Sequence, residues 1–430
     1  MAKKSPEKIK AYALVAPALI LIAAIAIWPV LQSFYFSLFD LKLNSPTKSE
    51  THLSYSFNLK KYLDTYPFLA SGIDTEIRNG HAVDELNKVK ISLQTLDKNI
   101  KKDPDIKDKY TIVNNKLLNF EQVDADLEFV KMDKKLAKQI QTTTDRIRSQ
   151  LKAISSSEKL EQDKKLQGLS TALNQVVIKP NFIGLTHYKE DLSEKRLWRA
   201  LGNTLTFTII SVAIELVLGL ALALIINKAF VGRGLIRASI LIPWAIPTAV
   251  SALIWKFLYD GQNGIVAKIF ENLGLVDSMS SLLTTHGGAF VSVIFADVWK
   301  TTPYMALLLL AGLQVIPSTL YEAASIDGAS KWKQFTSITL PLLKSSMLVA
   351  LLFRTLDAFR VFDLIYVLTG GGPANSTETI SILAYKVMFS QTNFGDGSAL
   401  AVIVFICVAI ISMIYIKFLG KDLLQDSTGK

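Results

Sequence analysis

The sequence predicts an all-α polytopic membrane protein: about six transmembrane helices, with a helical extracytoplasmic insert between the first and the second. Half of the 430 residues are hydrophobic and one fifth are charged, which indicates lipid-soluble segments and a polar piece in one chain. Apolar runs of about 20 residues, the length that crosses a bilayer, recur along the chain. One long polar stretch separates the first run from the others.

The first apolar run, "AYALVAPALILIAAIAIWPVLQSFYF", follows the basic start "MAKKSPEKIK". It is longer than the apolar region of a signal peptide and no small-residue cleavage site follows, so we expect a retained span. In the third run, Pro243 and Pro247 are expected to kink the helix and free backbone carbonyls at mid-membrane depth. The five further candidate spans begin at Asn203, Leu235, Gly288, Ser345 and Gly397.

Basic residues are concentrated in the short loops on one side of the membrane if the spans alternate. The positive-inside rule makes that side cytoplasmic and places both termini there. It also explains much of the net charge of +10 without nucleic acid. The single cysteine, Cys407, excludes a disulfide within the chain. The basic residues are Lys3, Lys4, Lys8, Lys10, Lys228, Arg233, Arg237, Lys331, Lys333, Lys344, Lys417 and Lys421.

Residues 43–180 form the predicted insert, between an N-terminal part of residues 1–42 and a five-helix core of residues 181–430. Its apolar residues recur at spacings of three and four, as in coiled helices, and Pro104 is expected to break the first helix. A small antiparallel bundle or coiled hairpin is predicted, with disorder as the alternative. The two stripes are Leu86, Val89, Leu93, Leu96 and Ile100, then Met132, Leu136, Ile140, Ile147, Leu151 and Ile154.

Residues 318–345 form a polar, basic loop between the fourth and fifth predicted spans. Within it, "EAASIDGASKWKQFTSITLPLL" suits a short helix, a glycine bend and a second helix. Its small residues permit close approach to another protein, and its acidic residues offer charge to a basic partner. From the residues alone, a docking surface and a structural connector both stay open. The candidate docking residues are Glu322, Ala323, Ala324, Asp327, Gly328 and Ala329.

Charged side chains inside predicted spans are costly in lipid and are candidates for a functional site. Span four presents four of the candidates on one helix face, and Arg354 and Asp357 lie one turn apart in span five, where they can pair. One interpretation is a polar, aromatic-lined solute pathway. The other is structural ion pairs, including Asp297 with Lys300. Glu215, isolated in span two, is interpreted as structural. The pathway candidates are Trp244, Thr248, Asp297, Lys300, Thr301, Tyr304, Arg354 and Asp357.

The loop pattern E-A-A-x-x-D-G-A, followed by F and I-x-L-P, resembles the signature loop of ABC-importer membrane permeases. Four further stretches, "NFIGLTHY", "WRALGNTLTFT", "LIPWAIP" and "DLIYVLTGGGP", resemble sugar permeases of the maltose-transporter type. The resemblance covers the first span and the chain after about Asn181, but not the middle of the insert.

The resemblance implies one permease subunit of an ATP-driven importer of sugars, with oligosaccharides as the expected class, in a bacterial or archaeal cytoplasmic membrane. The implied partners are a second homologous permease, an ABC ATPase dimer and an extracytoplasmic sugar-binding protein. The loop would couple ATPase closure to helix rotation. No G-x-x-x-x-G-K-[ST] sequence occurs, so ATP and Mg²⁺ are expected on the ATPase, with no cofactor, metal site or enzyme activity here.

The resemblance also assigns sugar contacts to the positions of all the pathway candidates and adds Ala358 and Val361. Four positions depart from the maltose permease: Asp297 stands for asparagine, Lys300 for leucine, Thr301 for glycine and Arg354 for serine. Maltose itself is therefore not implied.

Three alternatives stay open. An importer for another polar solute, such as a glycerol phosphodiester, would let Lys300 and Arg354 meet an anion. A membrane receptor would suit a span on each side of an external bundle, but a short basic loop follows the second span where a signalling domain is expected. A secondary transporter would carry an inverted repeat, and none is evident.

Overall fold

A computed structural model describes residues 6–228 and 231–428, and it divides into two compact units. The membrane unit comprises Met1–Ser37 and Leu185–Lys430, and the insert unit comprises Leu38–Gly184. The membrane unit begins with α1 (Pro6–Ile22) and α2 (Trp28–Phe36), joined by a π-helical turn, Ala23–Ile27.

The insert unit combines six helices with a small antiparallel sheet. The strands follow the order β2-β1-β3, and Phe57 of the central strand lies opposite Val130 and Val177. The elements are β1 (Ser56–Asn58), α3 (Leu59–Arg78), α4 (Val83–Ile100), α5 (Pro104–Leu118), α6 (Ala125–Glu128), β2 (Phe129–Lys131), α7 (Lys134–Ser157), α8 (Asp163–Asn174) and β3 (Val177–Ile178).

The insert is therefore more than the predicted coiled hairpin, because a three-stranded sheet and further helices pack around the same hydrophobic core. The first predicted stripe is buried along α4, at 0–3% exposed, and α4 ends before Pro104, which begins α5. In the second stripe, Ile140, Ile147, Leu151 and Ile154 are buried on α7. Met132 is buried ahead of the helix and Leu136 is half-buried. The insert is an ordered domain with its own hydrophobic core.

The ends of the insert unit meet through backbone hydrogen bonds. The amide of Asp40 donates to the Asn181 carbonyl at 2.8 Å, and the amide of Ile183 donates to the Leu38 carbonyl at 2.9 Å. These bonds explain why the unit extends beyond residues 43–180 at both ends.

The membrane unit continues with thirteen helices among the described residues. Two more π-helical turns, Phe335–Thr339 and Lys386–Ser390, join helices within it. The helices are α9 (Thr186–Ser193), α10 (Lys195–Asn227), α11 (Arg233–Ala245), α12 (Thr248–Leu258), α13 (Ile265–Asn272), α14 (Ser281–Thr284), α15 (His286–Leu313), α16 (Ser318–Ile326), α17 (Lys331–Gln334), α18 (Leu340–Phe359), α19 (Asp363–Leu368), α20 (Ile380–Tyr385) and α21 (Phe394–Thr428).

Five helices in the described part of the chain are long and apolar enough to cross a membrane, or six if the bent pair α11–α12 counts as one span. The predicted kink is confirmed: α11 and α12 are bent by 88°. The fifth span differs from the prediction. Its helix starts at Lys331, and it ends at Phe359 instead of Leu368 because the backbone leaves helical geometry at Arg360 and Phe362.

The structure also contains a short apolar helix, Ile380–Ser390, that the search for spans of about 20 residues missed. Of the basic residues used for orientation, Lys3 and Lys4 lie outside the described residues, and the side chains of Lys8, Lys10 and Lys421 are also outside them. The orientation of the chain stays a prediction.

Candidate functional site

Three helices of the membrane unit bring a buried charge cluster together. Glu215 lies on α10, Asp297 on α15 and Arg354 on α18, and each is at most 5% exposed. Burying a charged side chain costs free energy unless it is paired and hydrogen-bonded. Each of these three charges can be buried because it is paired with another member of the cluster.

Arg354 is the centre of this cluster. Its Nε and Nη2 donate to the two carboxylate oxygens of Glu215, at 2.5 and 2.9 Å. Nη2 also donates to Asp297, and Nη1 donates to Asp357 Oδ2 at 3.1 Å. The bidentate bond to Glu215 matches the planar fork of a guanidinium. The predicted pair of Arg354 with Asp357 is confirmed.

The predicted pair of Asp297 with Lys300 is wrong. Asp297 binds Arg354, and Lys300 Nζ donates to the backbone carbonyls of Ile246 at 2.6 Å and Trp244 at 3.3 Å. These carbonyls lie at the break between α11 and α12, where proline interrupts the helical ladder. Lys300 thus supplies a donor to two carbonyls at the predicted kink. The placing of freed carbonyls at mid-membrane depth stays a prediction.

A polar cavity of about 170 Å³ lies beside the cluster. Seven of the ten predicted pathway residues line it, together with Arg360, Phe362, Asp363 and Leu364. The seven are Thr248, Asp297, Lys300, Thr301, Arg354, Asp357 and Val361.

The other three predicted pathway residues are not part of the cavity wall. Trp244 and Tyr304 stack on each other with ring centroids 5.5 Å apart and planes 9° apart. Trp244 is 46% exposed, so its ring is only partly covered. Ala358 is buried in the apolar core.

Glu215 was predicted to be isolated and structural. It faces the bundle interior, but Arg354 and Thr301 both bond it, and the Thr301 hydroxyl donates to Oε1 at 2.7 Å. No local pattern signals this, because Arg354 is 139 positions away in the chain. A carboxylate alone in an apolar span is itself the available signal, since such a charge needs a partner.

A second ion-pair site, also missed from sequence, fixes the loop of residues 369–379. Glu378, 1% exposed, accepts hydrogen bonds from Arg196 at 2.8 and 2.9 Å and from Lys386 at 2.9 Å. Burial raises the pKa of Glu378, but the bonds from Arg196 and Lys386 lower it by more, so the pKa lies below its usual value. Thr379 donates to the Val361 carbonyl at 3.4 Å, which links this loop to the cavity wall.

The predicted docking segment forms a short helix, α16, a turn and a second helix, as expected. Gly328 has φ +73°, and the turn is a Schellman motif: Ala329 N–H donates to the Ala324 carbonyl at 2.8 Å and Gly328 N–H to the Ser325 carbonyl at 3.2 Å. Of the six candidate docking residues, Glu322, Ala323, Asp327 and Gly328 are exposed, and Ala324 and Ala329 are half-buried.

Side-chain bonds join α16 firmly to the base of the fifth span. The Gln334 amide donates to the Ser325 hydroxyl at 2.9 Å, and the hydroxyls of Tyr321 and Thr339 lie 3.0 Å apart. The second helix runs on through a π-helical turn into α18. A displacement of α16 would therefore be transmitted to α18, which carries Arg354.

Comparison with known proteins identifies the class. Residues 215–424 match the family described as binding-protein-dependent transport system inner membrane component. The trehalose/maltose transport system permease protein MalF of Thermococcus litoralis is 49% identical over 236 residues, 55% of this chain and 79% of that protein. The trehalose transport system permease protein SugA of Mycobacterium tuberculosis is 47% identical over 239 residues, 56% of this chain and 75% of that protein.

A solved structure shares the fold. It is the crystal structure of a bacterial ABC transporter involved in the import of the acidic polysaccharide alginate. The match has a TM-score of 0.51 and 23% sequence identity, and it covers 56% of this chain and 84% of that one.

The fold and the relatives together define an ABC-transporter permease, a membrane transport subunit and not an enzyme. The chain belongs to the family of inner-membrane components of binding-protein-dependent transport systems.

Proposed function

We propose that this chain is one permease subunit of an ATP-driven importer of sugars, with oligosaccharides as the expected class. It forms half of the translocation pathway and receives mechanical work from the ATPase through residues 318–345. The relatives that carry the sugar proposal are named as permeases for trehalose and maltose.

The observation that carries the coupling proposal is the exposed α16 segment, tied by Gln334–Ser325 and Tyr321–Thr339 to the helix that leads to Arg354. A flexible connector needs none of these bonds. A stiff junction converts motion of an attached ATPase into rotation of the span, which is rigid-body alternating access.

The size of the polar cavity supports a shared pathway. Its volume of about 170 Å³ is well below the roughly 300–1,000 Å³ of complete small-molecule sites. A second, homologous permease would supply the opposite wall. The pathway residues would be the seven that line the cavity, with Trp244 and Tyr304 as an aromatic surface beside it and Ala358 as packing behind it.

The remaining parts of the proposal follow from the assembly. ATP and Mg²⁺ bind the ATPase dimer, because the chain contains no G-x-x-x-x-G-K-[ST] sequence. An external sugar-binding protein delivers the substrate. Both termini and the α16 segment face the cytoplasm, and the insert faces the other side.

The coupling proposal has a closely matched test. Gly328 and Gly274 each follow a helix with positive φ, +73° and +68°, and at each an added Cβ would meet open space. Gly274 belongs to the loop after α13, on the side predicted to be outside. Gly328→Val and Gly274→Val carry the same kind of backbone strain, since a β-branched residue avoids positive φ.

We expect Gly328→Val to abolish sugar uptake and sugar-stimulated ATP hydrolysis, with normal membrane insertion. Gly274→Val is expected to keep both activities. In a second pair of variants, Glu322→Gln is expected to lose both activities and the half-buried Glu271→Gln, on α13, to keep both. Normal transport by both Gly328→Val and Glu322→Gln would defeat the assignment.

A further inference from the structure

We infer that the polar cavity admits uncharged carbohydrate and excludes anionic carbohydrate, because Glu215 and Asp297 hold the guanidinium of Arg354 away from the solute. This inference rests on the proposed function and names the substrate class of the same site. It makes Glu215 a specificity-determining residue that acts through Arg354.

Arg354 lines the cavity, but nearly all of its N–H donors are already used and are not free to bind a solute. It is 1% exposed, and four of the five N–H bonds of a guanidinium are directed at carboxylate oxygens. Two of the three carboxylates, those of Glu215 and Asp297, are themselves buried. An anion that bound the Nε and Nη2 side of Arg354 would have to displace a buried carboxylate, which would then be left unpaired. At Nη1 it would have to compete with Asp357.

Lys300, the second cation of the wall, is also hydrogen-bonded to other groups of the protein. Two of its three N–H bonds are donated to the carbonyls of Trp244 and Ile246 at the break between α11 and α12. Moving Lys300 towards a solute would break both of these hydrogen bonds, which costs free energy.

The exposed part of the wall favours acceptors. The Asp357 side chain is 64% exposed, and Asp363 is exposed nearby. Arg360 is the exposed cation of this wall, and its Nε donates to the Leu356 carbonyl at 3.1 Å. The cavity wall holds three carboxylates and three cations, and Glu215 behind Arg354 adds a fourth carboxylate.

This balance suits a neutral polyol. Sugar hydroxyls can donate to the Asp357 carboxylate and accept from the free N–H bonds of Arg360, so the hydroxyls exchange water for matched partners. A carboxylate or phosphate on the sugar would lose its hydration beside Asp357 and Asp363, while Arg354 and Lys300 are already bonded to other groups. The wall thus discriminates by charge more than by shape.

The test compares trehalose with the matched trehalose derivative in which one hydroxymethyl group is oxidised to a carboxylate. Binding of each is measured by titration calorimetry on the purified importer complex that contains this chain, without the external binding protein. We expect the wild-type complex to bind trehalose at least about tenfold more tightly than the carboxylate, given the size of charge interactions in protein interiors.

Two variants test the residues. Glu215→Gln and Asp357→Asn each remove one negative charge at nearly constant shape, one buried and one exposed. Each is expected to reduce the preference for trehalose by about fivefold or more. The exposed Asp357→Asn keeps the test decisive if Glu215→Gln fails to fold. The control, Glu271→Gln, removes a carboxylate on α13 that pairs with Lys268 outside the cavity wall, and it should leave the preference unchanged.

The outcomes separate the two levels of the proposal. Equal binding of both probes by the wild type overturns charge exclusion and leaves the sugar function intact. An unchanged preference in both variants also overturns the inference. If the wild type binds neither trehalose, maltose nor the carboxylate, this inference fails. The sugar assignment is then decided separately, by uptake of sugars through the importer together with its external binding protein.

Discussion

At the scale of single residues, buried charges in this protein are stabilised by partners brought from distant parts of the chain. Arg354 satisfies Glu215 and Asp297, and a buried pair of this kind is weak evidence of added stability but costs roughly 3–5 kcal/mol when one partner is removed. We therefore expect the cluster to specify which helices lie together more than to strengthen their packing.

Glu76 plays the same part in the insert unit. It is fully buried on α3 and accepts the backbone N–H of Gln162 at 2.6 Å and of Glu161 at 3.3 Å, with His81 Nδ1 at 2.7 Å. Burial raises the pKa of Glu76, but the bonds from Gln162, His81 and Glu161 outweigh burial and lower it below its usual 4.5. The ionised carboxylate therefore ties the start of α8 to α3.

Because the folded pKa is depressed, Glu76 contributes stability that is fully present above about pH 4.5 and is lost as the pH falls through the folded pKa. We expect Glu76→Gln to destabilise the junction by about 1–3 kcal/mol at neutral pH and to reduce this acid sensitivity. Hydrogen-exchange protection of the α8 amides in the intact chain, corrected for intrinsic rates, measures both effects.

Glu85→Gln, an exposed change on α4, is the control and should alter protection little. Acid-sensitive protection of α8 that is the same in wild type and Glu76→Gln would contradict the role given to Glu76.

At the scale of elements, the bend between α11 and α12 depends on a side chain from another helix. A break in a membrane helix leaves carbonyls unpaired, and such breaks persist only where something else satisfies them. Lys300 of α15 supplies that donor, and its ammonium group is held at the bend by these two hydrogen bonds.

Lys300→Met keeps the aliphatic stem and removes the donor. We expect a loss of about 1–3 kcal/mol in stability, because two carbonyls at the helix break lose their donor, and a broader range of bend angles. Thermal unfolding of the purified protein measures the first effect. The distance between spin labels at Leu235 and Phe257, exposed positions on α11 and α12, measures the second.

Lys256→Met is the matched control. Lys256 is exposed, and its Nζ lies 3.5 Å from the Val367 carbonyl, so its loss should change stability by less than about 0.5 kcal/mol. Equal behaviour of the two lysine variants would refute the role of Lys300 at the bend.

At the scale of the whole molecule, a self-contained domain is inserted between the first span and the rest of the membrane unit. It presents large apolar side chains to solvent, with Phe120 98% exposed and Leu118 68% exposed at the same turn. Exposed apolar surface on a soluble domain is typical of an interaction site. We predict that the insert is a docking platform for the external binding protein.

Deleting residues 60–176 tests this prediction. The structure shows where to close the chain, since Phe57 pairs with Val177 and the Asn58 amide donates to the Val176 carbonyl at 2.8 Å. We expect the deletion, closed by a short Gly-Ser turn, to insert in the membrane and to lose capture of the purified binding protein. Unchanged capture would reject the platform.

Local features of this protein could be read from sequence because they depend on neighbours in the chain. The stripe from Leu86 to Ile100, the turn at Gly328 and the pair of Arg354 with Asp357 follow from helical periodicity and backbone angles. The kink near Pro247 follows from a missing amide donor.

The sequence by itself thus determined the helical, lipid-soluble character of the chain, the approximate position of most of its candidate spans and the helix–turn–helix form of residues 318–345. Only the tertiary structure showed that Glu215 pairs with Arg354 and that Lys300 donates to carbonyls at the break between α11 and α12. It also showed that the insert contains a three-stranded sheet. The physical reason is that a buried polar group needs a hydrogen-bonding partner, and the type of residue alone shows this need. Which residue becomes the partner depends on the packing of the folded chain. Glu215 and Arg354 are 139 positions apart, and no short-range sequence pattern links them.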